Sequence, residues 1–282
     1  MGDNLDSRHV SRHRLRESFD SRTDSHAGDH IYFPVRIHCL GRFVALLNNE
    51  PVHLPRSRQQ KPLELLQALI AFGGRDVHTE LLCQALWLDA DGDDAQNAYD
   101  VTLYRLRKLF PVKGLFTQRD QKLTINNDIA WVDVWIFERL INQGERTIES
   151  ALGSEDLHLL KRTGERLLSL YQGAFLERET VNQWSLSLRE RLRSKLLRHM
   201  RDAGKIWELR SDWATATRYY EKGLEVEPLA EELYQRLMQS HFSAGHTAEA
   251  LLTFRRCEKA LTEHLGIEPS EQTRNLYASI KN

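Results

Sequence analysis

The 282-residue sequence lacks the features of several protein classes. Its cysteines, Cys39, Cys83 and Cys257, are odd in number and too widely scattered for a Cys-x-x-Cys or Cys/His zinc spacing. This usage predicts reduced, buried thiols and a cytoplasmic protein rather than a disulfide framework. No apolar run approaches the ~18 residues of a membrane span, so no membrane partner is expected. The first thirty residues also lack the apolar segment of a signal peptide.

Motifs that accompany common catalytic chemistries are also missing from the sequence. It contains no Gly-x-Ser-x-Gly, no His-Glu-x-x-His, no dinucleotide fingerprint and no phosphate-binding P-loop. The twelve histidines are scattered, and the pair His9 and His13 has no third metal ligand beside it. We therefore predict that the protein is not an enzyme and binds neither a metal ion nor another cofactor.

Charge is sorted along the chain, although the formal net charge is only −1. The acidic run DADGDD, residues 89–94, is followed by a basic stretch over residues 97–122. Sorted charge of this kind usually faces a binding partner. The cations of the basic stretch are Arg105, Arg107, Lys108, Lys113, Arg119 and Lys122.

The N-terminal part of the sequence predicts a polar tail and a small mixed domain. Residues 1–30 have almost no large apolar side chains, which is typical of a disordered segment. Next come the β-rich runs VRIHCL and FVALL, a third short strand, and helices over residues 61–72 and 79–87. A third helix and the hairpin LFTQRDQKLTIN complete the pattern of a winged helix-turn-helix over residues 31–128.

The third helix, NAYDVTLYRLRKLF over residues 97–110, has two distinct faces. Asp93 or Asp94 is the expected N-cap. At about 100° per residue, one face is an apolar stripe suited to a core. It comprises Tyr99, Leu103, Leu106, Leu109 and Phe110. The opposite face mixes cations with a valine and a tyrosine, which a face that only meets water does not need. It comprises Asp100, Val101, Tyr104, Arg105, Arg107 and Lys108.

This second face is suited to the major groove of B-DNA, which admits an α-helix. Arg105 can pair with guanine, Val101 can pack on a thymine methyl group, and Asp100 can accept from a cytosine amino group. Tyr104 can contact a base edge or a phosphate, so we interpret these four residues as base-contacting. The alternative is an ordinary solvated helix face.

Flanking residues are suited to phosphate contacts, which fix the register of a protein on DNA without specifying sequence. On the helix and the hairpin these residues are Asn97, Thr102, Arg107, Lys108, Arg119 and Lys122. Further phosphate candidates just before the first helix are Arg56, Arg58 and Lys61.

The C-terminal part, residues 129–282, predicts an all-α domain with a 34-residue repeat. Similar side chains recur at this spacing in the pairs Ala216 and Ala250, Tyr220 and Phe254, and Gly223 and Cys257. Gly204, Trp207 and Pro228 also fit a tetratricopeptide-like unit, so we expect stacked helical hairpins. A concave surface on such an array could support a homodimer or bind a regulatory protein.

Several quoted segments resemble a known family. LGRFVALLNNEPVHLP, KPLELLQALIAFGGRDVHTELLCQALW and NAYDVTLYRLRKLF resemble the OmpR-type winged helix of SARP-like bacterial antibiotic-pathway activators. YQGAFL, LGIEP and the repeat region resemble the bacterial transcriptional activator domain that accompanies it. The resemblance runs from about residue 35 to the C-terminus. It implies a mainly α protein, with an N-terminal α+β winged helix-turn-helix domain and a C-terminal all-α tetratricopeptide-like helical-hairpin domain.

The resemblance also implies functional surfaces. Residues 97–110 correspond to the recognition helix, with the same four residues facing the bases of promoter DNA. The segment between the second and third helices can contact RNA polymerase in OmpR-type proteins, which suggests this role for Asp89, Asp91, Asp93 and Asp94. Alternatively, one of these residues caps the helix and the others solubilise a turn.

The expected function is a sequence-specific, DNA-binding transcriptional activator that recruits RNA polymerase to double-stranded promoter DNA. The alternative is a protein-binding scaffold or adaptor, in which the tetratricopeptide-like domain binds a partner and the winged helix does not contact DNA. Ionic strength distinguishes the two, because DNA binding weakens steeply with salt through counterion release.

Overall fold

A computed structural model describes residues 32–52, 60–150, 154–179 and 182–282. The expected disordered tail, with His9 and His13, lies outside the described residues. The phosphate candidates Arg56 and Arg58 also lie outside them.

A four-stranded sheet begins the described chain. Strands β1 (Val35–His38), β2 (Val44–Leu47) and β3 (Glu50–Pro51) correspond to the three short strands that the sequence predicts. They form an antiparallel meander. Strand β7 (Ala130–Val132) pairs parallel with β1 on its other edge. The expectation that the chain is all helical from residue 129 is therefore wrong for residues 130–132. Three residues are too few to show a strand period in the sequence.

The winged helix-turn-helix follows this sheet. Its helices are α1 (Gln60–Ala71), α2 (Thr79–Leu86) and α3 (Gly92–Leu109). Strands β5 (Phe116–Arg119) and β6 (Lys122–Ile125) form the expected hairpin. A further strand that the sequence pattern does not predict, β4 (Val77–His78), pairs with β6. The fold is thus the predicted one, with an additional short strand beside the hairpin.

Helical hairpins make up the remaining chain, and most consecutive helices pack against each other. Two glycines of the repeat region permit close approaches between helices. A Cβ atom on Gly204 would lie 2.3 Å from the Tyr220 ring, and one on Gly223 would lie 2.5 Å from Leu233. These contacts explain the repeated small residues in the sequence. The helices are α4 (Asp133–Ser150), α5 (Ser154–Leu170), α6 (Gln183–Leu209), α7 (Trp213–Val226), α8 (Glu231–Ser243), α9 (Thr247–Leu265) and α10 (Glu271–Lys281).

One continuous cluster of buried apolar side chains extends from Val35 in β1 to Leu261 in α9. The sheet, the winged helix-turn-helix and most of the helical hairpins therefore share a core. The three cysteines are free, buried thiols, as predicted. None of the described helices is long and apolar enough to cross a membrane. Within the described ranges no group of three ligating side chains could hold a metal ion.

Asp133, the first residue of α4, joins the two parts of the molecule. Its side chain is 2% exposed, and its Oδ2 atom accepts hydrogen bonds from the backbone N–H groups of Cys39 at 2.7 Å and Leu40 at 2.8 Å. Its Oδ1 atom accepts from the N–H of Val134 at 2.7 Å. Burial raises the pKa of this carboxyl to about 7, although the backbone donors oppose the shift.

A second set of contacts holds the same loop after β1. The N–H of Gly41 donates to the carbonyl of Ala174 at 2.9 Å, and the N–H of Leu176 donates to the carbonyl of Cys39 at 2.8 Å. The Arg189 guanidinium on α6 in turn donates to the carbonyls of residues 175 and 176. The segment between α5 and α6 therefore holds the N-terminal sheet through directional backbone hydrogen bonds as well as through apolar packing.

Candidate nucleic-acid interface

Helix α3 begins earlier than the sequence pattern predicts. Its N-cap is Asp91, whose side chain makes no capping hydrogen bond, and its first residue is Gly92. The prediction of Asp93 or Asp94 as the N-cap is wrong, because both lie in the first turn of the helix. Carboxylates in that turn are stabilised by the helix dipole, which accounts for their presence there.

The buried face of α3 contains four of the five residues of the predicted apolar stripe and one addition, and the fifth, Leu109, is half-buried against the same core. Tyr99, Leu103 and Leu106 are fully buried within the helix, and Phe110 is buried just after it. Thr102 is only 5% exposed, so its predicted phosphate contact is wrong. The reason is helical spacing: residue 102 lies three positions after Tyr99 and four before Leu106, so it faces the same core.

The opposite face of α3 carries an exposed strip formed by Asp100, Val101, Tyr104 and Arg105. Val101 and Tyr104 remain 50% and 58% exposed, although both have large apolar surfaces. The Lys108 ammonium lies 4.6 Å from the centre of the Tyr104 ring, a cation–π contact that orients the ring. The Arg105 guanidinium makes no hydrogen bond or ion pair with any residue that the structure describes.

The remaining predicted contact residues surround this strip. Asn97, Arg107 and Lys108 are exposed on α3. Arg119 and Lys122 are paired directly across the hairpin, whose two-residue turn has positive φ at both positions. Two cations that face each other across strands repel one another. This pair is therefore suited to a bound anion.

Lys61 is less available than the sequence suggests. Its ammonium donates to Glu64 at 2.8 Å and to the carbonyl of Leu86 at 3.1 Å, and it lies 5.8 Å from the Trp87 ring. These contacts place the charge at the C-terminal end of α2, where the helix dipole favours a cation. Its side chain therefore already has a structural role.

The acidic segment, residues 89–94, lies between α2 and the first turn of α3. Its four carboxylates are exposed and have no hydrogen-bond or ion-pair partner within the described part of the chain; they are Asp89, Asp91, Asp93 and Asp94. Leu88 precedes them and is 82% exposed. The sequence pattern does not predict this apolar residue as part of a surface, because a single leucine beside a run of acids has no helical or strand period.

Comparisons with known proteins agree with this architecture. The family model of the bacterial transcriptional activator domain matches residues 132–281. "Regulatory protein DnrI" of Streptomyces peucetius is 26% identical over 265 residues, covering 87% of this chain and 92% of that protein. The structure "Mycobacterium tuberculosis EmbR in complex with low affinity phosphopeptide" matches with a TM-score of 0.65.

The EmbR match supports the fold alone, because the two sequences are only 18% identical. The match covers 89% of the present chain and 65% of the EmbR chain. The family model covers more than half of the chain, and the similarity to DnrI extends through the winged helix-turn-helix. The chain therefore belongs to the bacterial transcriptional activator domain family, as a SARP-like transcriptional regulator.

Proposed function

We propose that the protein is a sequence-specific DNA-binding activator whose α3 enters the major groove of promoter DNA. The observation that carries this proposal is the exposed strip, where Val101 and Tyr104 stay half-exposed beside Arg105. An α-helix fits the B-DNA major groove, where apolar, aromatic and guanidinium groups all have partners on base edges. The strip therefore has the composition of a base-contacting surface.

Each strip residue has a defined contact under this proposal. Arg105 donates two hydrogen bonds to guanine O6 and N7, and Val101 packs against a thymine methyl group. Asp100 accepts from a cytosine amino group, and Tyr104 contacts a neighbouring base edge or phosphate. These contacts provide sequence specificity, since base edges rather than phosphates carry the sequence information.

Four flanking cations supply the sequence-independent part of the affinity; they are Arg107, Lys108, Arg119 and Lys122. The first two lie on α3 beside the exposed strip, and the other two face each other across the hairpin. A phosphate between Arg119 and Lys122 would relieve the repulsion between them. Phosphate neutralisation also releases condensed counterions, which makes affinity depend on salt.

Salt dependence tests the proposal against a scaffold function. The affinity of the full chain for duplexes enriched from a randomised library is measured between about 50 mM and about 200 mM salt. Four neutralised phosphates predict that log K falls with log[salt] with a slope of about −3.6, an affinity loss of about 100-fold over this range. A scaffold predicts no selective enrichment of duplexes and no such slope.

A double variant makes this test specific to the hairpin. Arg119→Ala with Lys122→Ala is expected to reduce the slope by about 2, because two phosphate contacts are removed. Arg255→Ala with Lys259→Ala on α9 removes two exposed cations far along the chain and serves as the matched control. Equal slopes for the two double variants would contradict a role of the hairpin in DNA binding.

The proposal also assigns the acidic segment to RNA polymerase. Its carboxylates are exposed and without partners among the described residues, and Leu88 adds an apolar contact at its start. This combination is suited to a basic surface with an apolar pocket. A contact between this segment and RNA polymerase would stabilise the polymerase at the promoter. DNA binding by the protein would then activate transcription.

Replacing acids in this segment should separate DNA binding from activation. Asp89→Ala with Asp91→Ala is expected to leave DNA affinity unchanged but to lower transcription severalfold in a reconstituted assay with bacterial RNA polymerase. Glu258→Ala with Glu271→Ala removes two exposed acids elsewhere and is the control. Full transcription with the first variant would contradict a polymerase contact and would show that the acidic segment is only a solvated turn.

A further inference from the structure

Asn97 lies on the same row of α3 as two residues of the exposed strip. Residues four apart are neighbours on a helix surface, so Asn97, Val101 and Arg105 follow one another along the axis. All three side chains are exposed. The Asn97 amide makes no hydrogen bond with any residue that the structure describes. This side chain is therefore available to a ligand that approaches the strip.

The neighbouring row is different, because its side chains contact each other. Gln96 donates to the Asp100 carboxylate at 3.3 Å, and the Lys108 ammonium lies over the Tyr104 ring. These contacts occupy part of the hydrogen-bonding capacity of that row and restrict its rotamers. Among the described residues, Asn97 and Arg105 thus keep their full hydrogen-bonding capacity on the first row.

The surroundings of Asn97 disfavour the phosphate contact that the sequence suggests for it. Asp93 and Asp94 lie one turn before Asn97 and are exposed carboxylates. A phosphate beside Asn97 would be repelled by both charges. A base edge carries no net charge, so a neutral amide at this position is better suited to a base than to the DNA backbone.

We propose that Asn97 determines specificity by contacting an adenine base; this inference rests on the proposed DNA-binding function. Its Oδ1 atom accepts from the adenine N6 amino group, and its Nδ2 atom donates to N7. Asn97 and Arg105 are eight residues apart, or about 12 Å along the helix axis. At 3.4 Å per base pair, the adenine lies about three to four base pairs from the guanine contacted by Arg105.

Adenine analogues test this contact directly. In the duplex that the full wild-type chain selects, each adenine is replaced in turn by 7-deazaadenine, which lacks the N7 acceptor. At one position we expect the wild-type affinity to fall about tenfold, within the range for loss of a bidentate base contact. Asn97→Ala should bind the natural and substituted duplexes equally at that position. The matched control, Asn127→Ala, alters an exposed asparagine after the hairpin and should behave like the wild type.

Two other results would overturn the inference in distinguishable ways. If Asn97→Ala weakens binding to all duplexes equally and leaves the salt slope unchanged, Asn97 contacts a phosphate, because a neutral amide releases no counterion. In that case DNA binding itself stands and only the adenine contact is lost. If the wild-type chain selects no duplex at all, the proposed function fails and this inference fails with it.

Discussion

An Arg105→Ala variant of the full chain is expected to lose about 100-fold in affinity for the duplex that the wild-type protein selects. A bidentate arginine–guanine pair contributes ~1–3 kcal/mol of discrimination, and the upper part of this range applies because the charge is lost as well. Affinity for scrambled DNA should fall much less. The measurement is gel-shift competition between the selected and the scrambled duplex.

Two comparison variants separate base recognition from charge and from folding. Arg105→Lys keeps the charge but not the planar donor pair, so we expect binding to scrambled DNA to persist while the guanine preference is lost. Arg107→Ala removes a cation beside the strip and should weaken binding to all duplexes to a similar extent.

The Arg105 side chain is exposed and has no partner in the described ranges, so the free energy of unfolding of Arg105→Ala should stay within about 0.5 kcal/mol of wild type. Unchanged selectivity in a folded Arg105→Ala protein would contradict base recognition by this helix.

The sequence predicts the exposed strip well because helical periodicity is a local property. Tyr99, Leu103 and Leu106 recur at three- and four-residue spacing and are buried as expected. The same spacing predicts that Val101 and Arg105 share the outer face, and both are exposed. The hairpin is equally local, because a polar turn between two short β-rich runs specifies its pairing.

The features that the sequence does not predict arise where residue type and helical position disagree, or where distant residues contact each other. Thr102 is buried because its position on α3 faces the core, although its polar side chain suggests exposure. Strands β4 and β7 have two and three residues, too few for a period, and are specified by their partner strands. The role of Asp133 depends on backbone groups more than ninety residues away in the chain.

Replacing Asp133 is expected to give the largest loss of stability among single substitutions considered for this chain. Asp133→Ala leaves the backbone N–H groups of Cys39, Leu40 and Val134 without their acceptor in a buried site. Each buried, unsatisfied donor costs about 1–3 kcal/mol, and three donors at the lower part of this range lower the free energy of unfolding by about 3–5 kcal/mol. Chemical denaturation of the full chain measures this loss. Asp128→Ala removes an exposed carboxylate nearby and should change stability by less than about 0.5 kcal/mol.

The pH dependence of stability provides an independent measurement of the same site. Burial raises the pKa of Asp133 to about 7 in the folded chain, above the ordinary value of 3.8 expected after unfolding. The folded state therefore binds the proton more tightly, and the contribution of this group to stability is fully present below about pH 4 and declines as pH rises towards 7.

Asp133→Asn keeps the shape and one acceptor oxygen of the side chain but cannot titrate. As pH rises from about 4 to 7, the free energy of unfolding of the wild type should therefore fall relative to that of this variant. A difference that is constant with pH would show that the carboxyl does not titrate between pH 4 and 7. A small effect of Asp133→Ala would show that solvent or other groups satisfy the loop after β1, and that the two parts of the molecule are held together by apolar packing instead.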